Sequence, residues 1–309
     1  MDQMLEQRMS DLGYRLKMVS IKHLKDMKLQ IEENHNSGLI DENLYQWLIG
    51  YYQFDLPISE VLFSSIIIVA SKSPLVQTIF QWRGGGNSFV IPPTYLDFLS
   101  EPICIKTHLE DATQGLNYHF MEAKHLPNKL IAVRSGLGKY GKNNLCYVPG
   151  MGSYVLLTTY YSDIPASENQ WEPIRQMTIC SNCNACVKNC PSAALSKNRF
   201  AIHAENCLTY HNEFWGKAEF PEWIPPNAHN CLIGCLKCQM ACPENNTFLS
   251  MYEDIKVFNE EETEAVLGKK ALNELPAELV LKLENSNLLI HYNYLSRNLQ
   301  ALLNKELCM

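Results

Sequence analysis

Two cysteine runs constrain this 309-residue chain more than any other feature. The first run has the pattern CxxCxxCxxxCP over residues 180–191, and the second has the pattern CxxCxxxCP over residues 235–243. Cys207 stands alone between them, and nine of the twelve cysteines fall in the segment from Cys180 to Cys242. Such a concentration of thiols indicates metal ligation rather than a disulfide framework.

The spacing has a geometric meaning. Three cysteines separated by two residues wrap a tight loop around one 4Fe–4S cluster, and the cysteine before proline reaches the other cluster of a two-cluster ferredoxin. The sequence therefore predicts two 4Fe–4S clusters. The predicted ligands are Cys180, Cys183, Cys186 and Cys242 for the first cluster, and Cys190, Cys207, Cys235 and Cys238 for the second.

Structural zinc is the alternative, because paired CxxC motifs also form tetrahedral thiolate sites. Four cysteines in the CxxCxxCxxxCP pattern are hard to arrange around zinc, so the iron–sulfur interpretation is favoured. Cys231, close to the second run, is interpreted as a packing thiol beside the ligands. Cys104, Cys146 and Cys308 are interpreted as small hydrophobic residues rather than iron ligands.

Composition narrows the class of partner. The formal net charge is −7, so no overall basic field favours DNA or another polyanion. The N-terminus has no signal-peptide pattern, and the longest apolar run, Val61 to Ala70, is far shorter than the roughly 20 residues that span a bilayer. We expect a cytoplasmic protein with no membrane partner, in a compartment that keeps its thiols reduced.

The pattern of elements predicts an α/β (α+β) fold in three parts. A layered mixed sheet covered by helices is expected over residues 1–175, a ferredoxin-like double-cluster module over 176–246, and a short helical segment over 247–309. The predicted strands are 14–20, 61–70, 88–91, 117–122, 145–148 and 154–162, and the main predicted helices are 4–12, 21–33, 41–51, 259–267, 276–284 and 288–304, with a short helix opened by Pro127.

Several motifs together resemble the epoxyqueuosine reductases, which are cobalamin-dependent, two-cluster relatives of reductive dehalogenases. The cysteine order is shared, and so are the sequence ENCL at 205–208 and GCLKCQMACP at 234–243. Upstream, AVRSGLGKYGKN at 132–143 is similar to the family's arginine and GLGxxGKN loop, and a Gly-Ser pair follows at 152–153. The match is specific from about residue 120 to residue 246.

The resemblance implies a mechanism in which the clusters pass electrons to a cobalamin held by the 1–175 domain. The implied cobalamin contacts are Arg134, Gly136, Gly138, Lys142, Asn143, Cys146 and Ser153. Glu122 takes the position of the family's aspartate proton donor, with one more methylene. Reduced ferredoxin or flavodoxin is the implied electron donor.

The family substrate is epoxyqueuosine in tRNA, an intermediate of queuosine biosynthesis, and a small organic molecule is the alternative. The family usually continues into a C-terminal helical-repeat extension that helps to grip tRNA, and we expect this chain to have no more than its first helices. An acidic chain without that extension is expected to bind tRNA phosphates less well, so a divergent member is predicted.

Two other classes of function stay open. The first is a ferredoxin-like electron carrier with no catalysis of its own. The second is a flavin- or nicotinamide-linked oxidoreductase, because residues 136–141 form a literal GxGxxG. That fingerprint requires a preceding strand and a following helix, whereas here a helix is predicted before the loop and a strand after it. The aromatic residues at 214–215 and 220–223 are expected to shield the clusters from water.

Overall fold

The computed structural model describes residues 2–166, 170–213, 219–248 and 252–306. Its mixture of helices and several sheets confirms the predicted α/β (α+β) class. The helices are α1 (Asp2–Asp11), α2 (Leu24–Asn36), α3 (Glu42–Tyr51), α4 (Glu101–Ala112), α5 (Asn128–Arg134), α6 (Ala185–Asn189), α7 (Leu208–Asn212), α8 (Lys237–Met240), α9 (Glu260–Leu267), α10 (Ala277–Asn285) and α11 (Tyr292–Glu306). The strands are β1 (Arg15–Ser20), β2 (Ser65–Lys72), β3 (Leu75–Trp82), β4 (Gly85–Ile91), β5 (Phe120–Glu122), β6 (Lys139–Tyr140), β7 (Cys146–Tyr147), β8 (Val155–Ser162) and β9 (Tyr252–Phe258).

The backbone contacts divide the chain into two compact units. Unit 1 consists of residues Met1–Lys72, Phe98–Cys183 and Asn198–Ile202, and unit 2 of Ser73–Asp97, Asn184–Lys197 and His203–Met309. These units interleave along the sequence. The predicted boundaries at residues 175 and 246 separate the sheet domain, the double-cluster module and the C-terminal segment. That three-part division stays a prediction.

Unit 1 is built on a four-stranded antiparallel sheet with the order β1-β2-β8-β5. Strand β2 is central, and every residue from Ser65 to Ser71 is buried. Its run of isoleucine and valine suits a strand covered on both faces. The predicted strand at 61–70 is thus present, but it begins at Ser65 because residues 61–64 are less buried.

Alternate residues of β2 serve two different cores, as the two-residue period of a strand requires. Ile66 and Ile68 pack into one hydrophobic cluster with residues of α5 and of the 137–151 segment. Ile67 and Val69 pack into another with residues of α1 and α4. The first of these two faces supports the segment that carries the GLG motif.

Unit 2 contains a three-stranded sheet with the order β4-β3-β9, in which β3 pairs antiparallel with β4 and parallel with β9. Phe80 and Phe258 stack in its core with ring centroids 4.4 Å apart. Helices α9, α10 and α11 cover this core and fall where the C-terminal helices were predicted. Helix α9 begins with a capping box between Asn259 and Glu262, which satisfies two N-terminal amides.

Strands β3, β6 and β9 were not predicted from the sequence. Strand β9 lies in the segment 247–309, which was predicted to be helical.

Among the helices that the structure describes, none combines the length and the apolar character that a bilayer crossing needs.

Candidate iron–sulfur and cofactor site

The first cysteine run begins in unit 1, against the loop that carries the GKN motif. Cys180 lies in a buried 3-10 turn, Thr178–Ser181. The backbone N–H of Lys142 donates to Cys180 Sγ at 3.4 Å, and Lys142 Nζ donates to the Cys183 carbonyl oxygen at 2.9 Å. Lys142, predicted as a cofactor contact, therefore also holds the cysteine loop.

Backbone pairing attaches the same loop to the segment that leads into the cysteines. The Tyr140 N–H donates to the Arg175 carbonyl at 3.1 Å, and the Met177 N–H donates to the Tyr140 carbonyl at 2.9 Å. On its other side, β6 pairs with β7. The GKN loop is thus fixed by main-chain hydrogen bonds on both sides.

The glycines of the GLG motif permit close packing inside this loop. A Cβ atom on Gly138 would lie 2.6 Å from Cys146 Sγ and 2.7 Å from the Tyr147 carbonyl oxygen. Gly136 has a φ of +76°, in the left-handed region that favours glycine. Helix α5 precedes the loop and β7 follows it, so the GxGxxG sequence does not open a helix as a dinucleotide fingerprint would.

Arg134 ends α5 and stacks on an aromatic ring. Its guanidinium carbon lies 4.9 Å from the centre of the Trp171 ring, and its carbonyl accepts a hydrogen bond from the Glu172 N–H at 2.6 Å. Burial lowers the pKa of Arg134, whereas the charges of Asp26 and Glu33 raise it. The Arg134 Nε–H is buried without a hydrogen-bond partner, so it is a donor available to a ligand.

The remaining predicted cofactor contacts are buried in unit 1. Asn143 donates through Nδ2 to the Tyr147 hydroxyl at 2.9 Å. Cys146 is 4% exposed, and burial raises the pKa of its thiol to about 12 although Lys129 lowers it. Ser153 is also buried. Cys146 consequently packs as a neutral thiol within the core that supports the loop.

Glu122 is the last residue of β5 and lies opposite Tyr160 of β8. Its side chain is 30% exposed, and Lys124 Nζ lies 3.5 Å from Glu122 Oε2. Burial raises the pKa of Tyr160, and the charge of Glu122 raises it further. The carboxyl group is thus partly buried beside a cation and close to a neutral phenol.

The two histidines near Glu122 have other neighbours. His119 Nδ1 lies 2.8 Å from Asp163 Oδ2, and the His119 N–H donates to Asp163 Oδ1 at 2.9 Å. His125 contacts the edge of the Tyr51 ring, with centroids 5.0 Å apart. These contacts pair His119 with Asp163 rather than with Glu122.

In unit 2, thiols from both cysteine runs lie close enough to affect one another's ionisation. Burial raises the pKa of Cys238 well above its ordinary value, and the thiols of Cys235, Cys207 and Cys190 raise it further. Burial is also the main cause that raises the pKa of Cys235 to about 11. Iron would offset this cost by supplying positive charge to the thiolates, so the donor set fits a cluster.

Asn230 is a polar residue next to these thiols that the sequence analysis missed. Its Nδ2 donates to Cys235 Sγ at 3.2 Å, and its Oδ1 accepts from the Cys231 thiol at 3.2 Å. Cys231 itself is 1% exposed. The only available signal was its position five residues before Cys235.

The aromatic residues expected to shield the clusters are described in part. Residues 214–215, like Cys308, lie outside the described residues. Phe220 lies under the guanidinium of Arg297, whose carbon is 4.1 Å from the ring centre, and Trp223 is 48% exposed. Shielding by Phe220 and Trp223 stays a prediction.

The segment that contains both cysteine runs matches a known protein-family model. Residues 179–245 match the 4Fe-4S double cluster binding domain. The chain therefore carries a double-cluster iron–sulfur module, as the cysteine spacing predicted.

The comparison with curated proteins confirms the resemblance to epoxyqueuosine reductases. The enzyme of that name from Gloeobacter violaceus is 31% identical over 126 residues, which cover 41% of this chain and 38% of the relative. The one from Listeria monocytogenes is 33% identical over 126 residues, covering 40% of this chain and 31% of the relative. The chain thus aligns with less than half the length of these curated relatives.

Solved structures show that the fold is also that of the epoxyqueuosine reductases. The Bacillus subtilis enzyme, seen with the aspartate catalytic loop swung out of its active site, has a TM-score of 0.62 and 20% identity, covering 97% of this chain and 80% of its own. A second structure, with an epoxyqueuosine-modified tRNA stem loop, has a TM-score of 0.51 and 22% identity, covering 80% of this chain and 65% of its own.

We predict that Gly138→Ala destabilises unit 1 by about 1–3 kcal/mol, the usual cost of overpacking. The reason is that its Cβ would approach Cys146 Sγ and the Tyr147 carbonyl to less than 3.0 Å. Urea unfolding monitored by circular dichroism measures the change. Gly50→Ala in α3 is the control, since nothing lies within 4 Å of its added Cβ. Equal stabilities of the two variants would contradict this packing role.

Proposed function

We propose that the protein is a cobalamin-dependent iron–sulfur reductase of the epoxyqueuosine reductase type. The hydrogen bond from the Lys142 N–H to Cys180 Sγ carries this proposal, because it joins the GKN loop directly to a predicted cluster ligand. Residues 1–175 would bind cobalamin and substrate, and 176–246 would hold the clusters. Reduced ferredoxin or flavodoxin is the proposed electron donor, and the cytoplasm, where thiols stay reduced, is the proposed location.

The proposed ligands of the first cluster are Cys180, Cys183, Cys186 and Cys242, and those of the second are Cys190, Cys207, Cys235 and Cys238. The thiols of Cys235, Cys207 and Cys190 raise the pKa of Cys238 more than the thiol of Cys186 does, which supports the second set. When bound, the clusters supply single electrons, and their potentials depend on burial and on hydrogen bonds to sulfur.

The residues proposed to hold cobalamin are Arg134, Gly136, Gly138, Lys142, Asn143, Cys146 and Ser153. The unpartnered Arg134 Nε–H supports this, because a buried donor gains a hydrogen bond from a ligand carbonyl. When bound, cobalamin supplies a nucleophilic low-valent cobalt. Gly138 and Cys146 would act indirectly, by packing together beneath the loop.

Glu122 is proposed to donate a proton to the substrate. Its side chain is 30% exposed at the end of β5, so a bound substrate can reach the carboxyl group, as a general acid requires. Lys124, 3.5 Å away, would hold the carboxyl group in place.

Epoxyqueuosine in tRNA is the proposed substrate, since the relatives carry that activity in their name and one neighbour was solved with the modified stem loop. A small organic molecule is the alternative. A second candidate function is electron transfer without catalysis. The observation that favours it is that Lys142 Nζ and Asn143 Nδ2 both donate to groups of the protein itself.

We predict that Glu122→Gln lowers turnover by about 10²–10⁴-fold, the usual contribution of a general acid, while both clusters remain. Steady-state turnover with a chemical reductant, together with iron and sulfide content, measures this. Glu110→Gln is the matched control, because it removes an exposed carboxyl group of α4 that also lies near a lysine, Lys106. Full activity in the glutamine variant would show that the proton comes from another group.

We predict that Cys235→Ser loses one cluster, whereas Cys231→Ala retains both. Cys235 is a proposed ligand, and the Cys231 thiol instead donates to Asn230 Oδ1. Iron content and electron paramagnetic resonance of the reduced protein distinguish the two variants. Loss of iron from Cys231→Ala would contradict the ligand assignment.

We predict that the reconstituted protein binds cobalamin and gives a cobalt(II) resonance without splitting from a lower nitrogen ligand. The physical reason is that the proposed binding residues include no histidine to ligate the lower face. Anaerobic titration followed by electron paramagnetic resonance measures it. An unchanged spectrum after cobalamin is added would favour the electron carrier instead.

A further inference from the structure

We propose that Asn230 is a positioning residue that raises the reduction potential of the second cluster by donating a hydrogen bond to Cys235 Sγ. This inference rests on the ligand assignment proposed above, in which Cys235 binds that cluster. The observation that carries it is the distance of 3.2 Å between Asn230 Nδ2 and Cys235 Sγ.

Two backbone groups determine which way the Asn230 amide faces. The Leu236 N–H can only donate, and it lies 2.9 Å from Asn230 Oδ1. The Ala228 carbonyl can only accept, and it lies 2.9 Å from Asn230 Nδ2. The oxygen must therefore face Leu236, and the NH₂ group must face the carbonyl and the sulfur.

Cys231 completes the support of this amide. Its thiol donates to Asn230 Oδ1 at 3.2 Å, and its backbone forms a parallel bridge with Val90 of β4. Because Cys231 is 1% exposed, water does not compete for this contact. Two neighbours therefore hold the amide oxygen: the buried thiol of Cys231, and the backbone N–H of Leu236 in the loop that carries the cysteine ligands.

The direction of the effect follows from electrostatics. Reduction adds one electron to the cluster, and part of the added negative charge falls on the cysteine sulfurs. An N–H dipole aimed at a sulfur stabilises the reduced form more than the oxidised form, which raises the potential. Removing the donor should therefore make reduction of the second cluster harder.

A side-chain donor to a cluster sulfur can be removed by substitution, whereas a backbone donor cannot. Cys180 receives a hydrogen bond from the backbone N–H of Lys142. Cys235 receives one from the Asn230 side chain in addition to one from the Lys237 backbone. The reduction potential of the second cluster can consequently be changed by a single substitution at Asn230 that leaves the cysteines intact.

The test is a redox titration of the reconstituted full-length protein, followed by electron paramagnetic resonance. Asn230→Leu removes the donor at similar volume, and Asn230→Asp replaces it with an acceptor that carries negative charge. The control is Asn212→Leu, because Asn212 Nδ2 donates to the carbonyl of Gly234, next to Cys235, rather than to a sulfur. Iron and sulfide content is measured for every variant.

We expect Asn230→Leu to lower the equilibrium constant for reduction of one cluster about tenfold, which is 59 mV for one electron. Asn230→Asp should shift it at least as far in the same direction, and Asn212→Leu should leave both potentials unchanged. Unchanged potentials in both Asn230 variants would overturn the inference. So would an equal shift in Asn212→Leu, since the cause would then be a loosened loop.

Cluster content separates the failure of this inference from the failure of the ligand assignment. If Cys235→Ser keeps both clusters, then the ligand assignment itself is wrong. If both Asn230 variants lose a cluster while Cys235→Ser also does, then the amide is needed to retain iron, and its role in setting the potential is rejected.

Discussion

Buried thiols are the constraint on which the iron–sulfur half of this structure depends. Burial is the main cause that raises the pKa of Cys238 and of Cys235. Neighbouring thiols raise both values further: those of Cys190 and Cys207 act on both, and that of Cys235 acts on Cys238. Iron must supply the compensating positive charge, so folding and cluster binding are expected to be linked. The helices around these cysteines are short, and the side-chain amides of Asn230 and Asn212 form hydrogen bonds with the backbone beside Cys235.

The GKN loop connects Cys180, a predicted ligand of the first cluster, to the sheet of unit 1. Its Lys142 amide reaches Cys180 Sγ, its Tyr140 backbone pairs with the segment before the cysteines, and its Gly138 packs on Cys146. Packing of Cys146 in the core over β2 supports the loop from below. A cofactor held by this loop would therefore be linked through the Lys142 amide to a predicted cluster ligand.

Much of the fold was readable from local pattern. Helices α9 and α10 were predicted within one residue at each end, because their apolar spacing and capping residues are local signals. Strand β3 was missed although it forms a local antiparallel hairpin with β4. Strand β9 was missed because its pairing with β3 is parallel and joins distant parts of the chain. The interleaving of the two units was missed for the same reason, since it depends on which distant segments come into contact.

The sequence by itself determined the class of cofactor, because cysteine spacing limits which thiolates can share one cluster. It also located the GLG loop and Glu122, although only through resemblance. Only the tertiary structure showed that Lys142 faces the cysteine loop, that Cys146 packs against Gly138, and that Asn230 reaches Cys235 Sγ. The physical reason is that a hydrogen bond to sulfur depends on position and direction in space, and residue order does not encode either one locally.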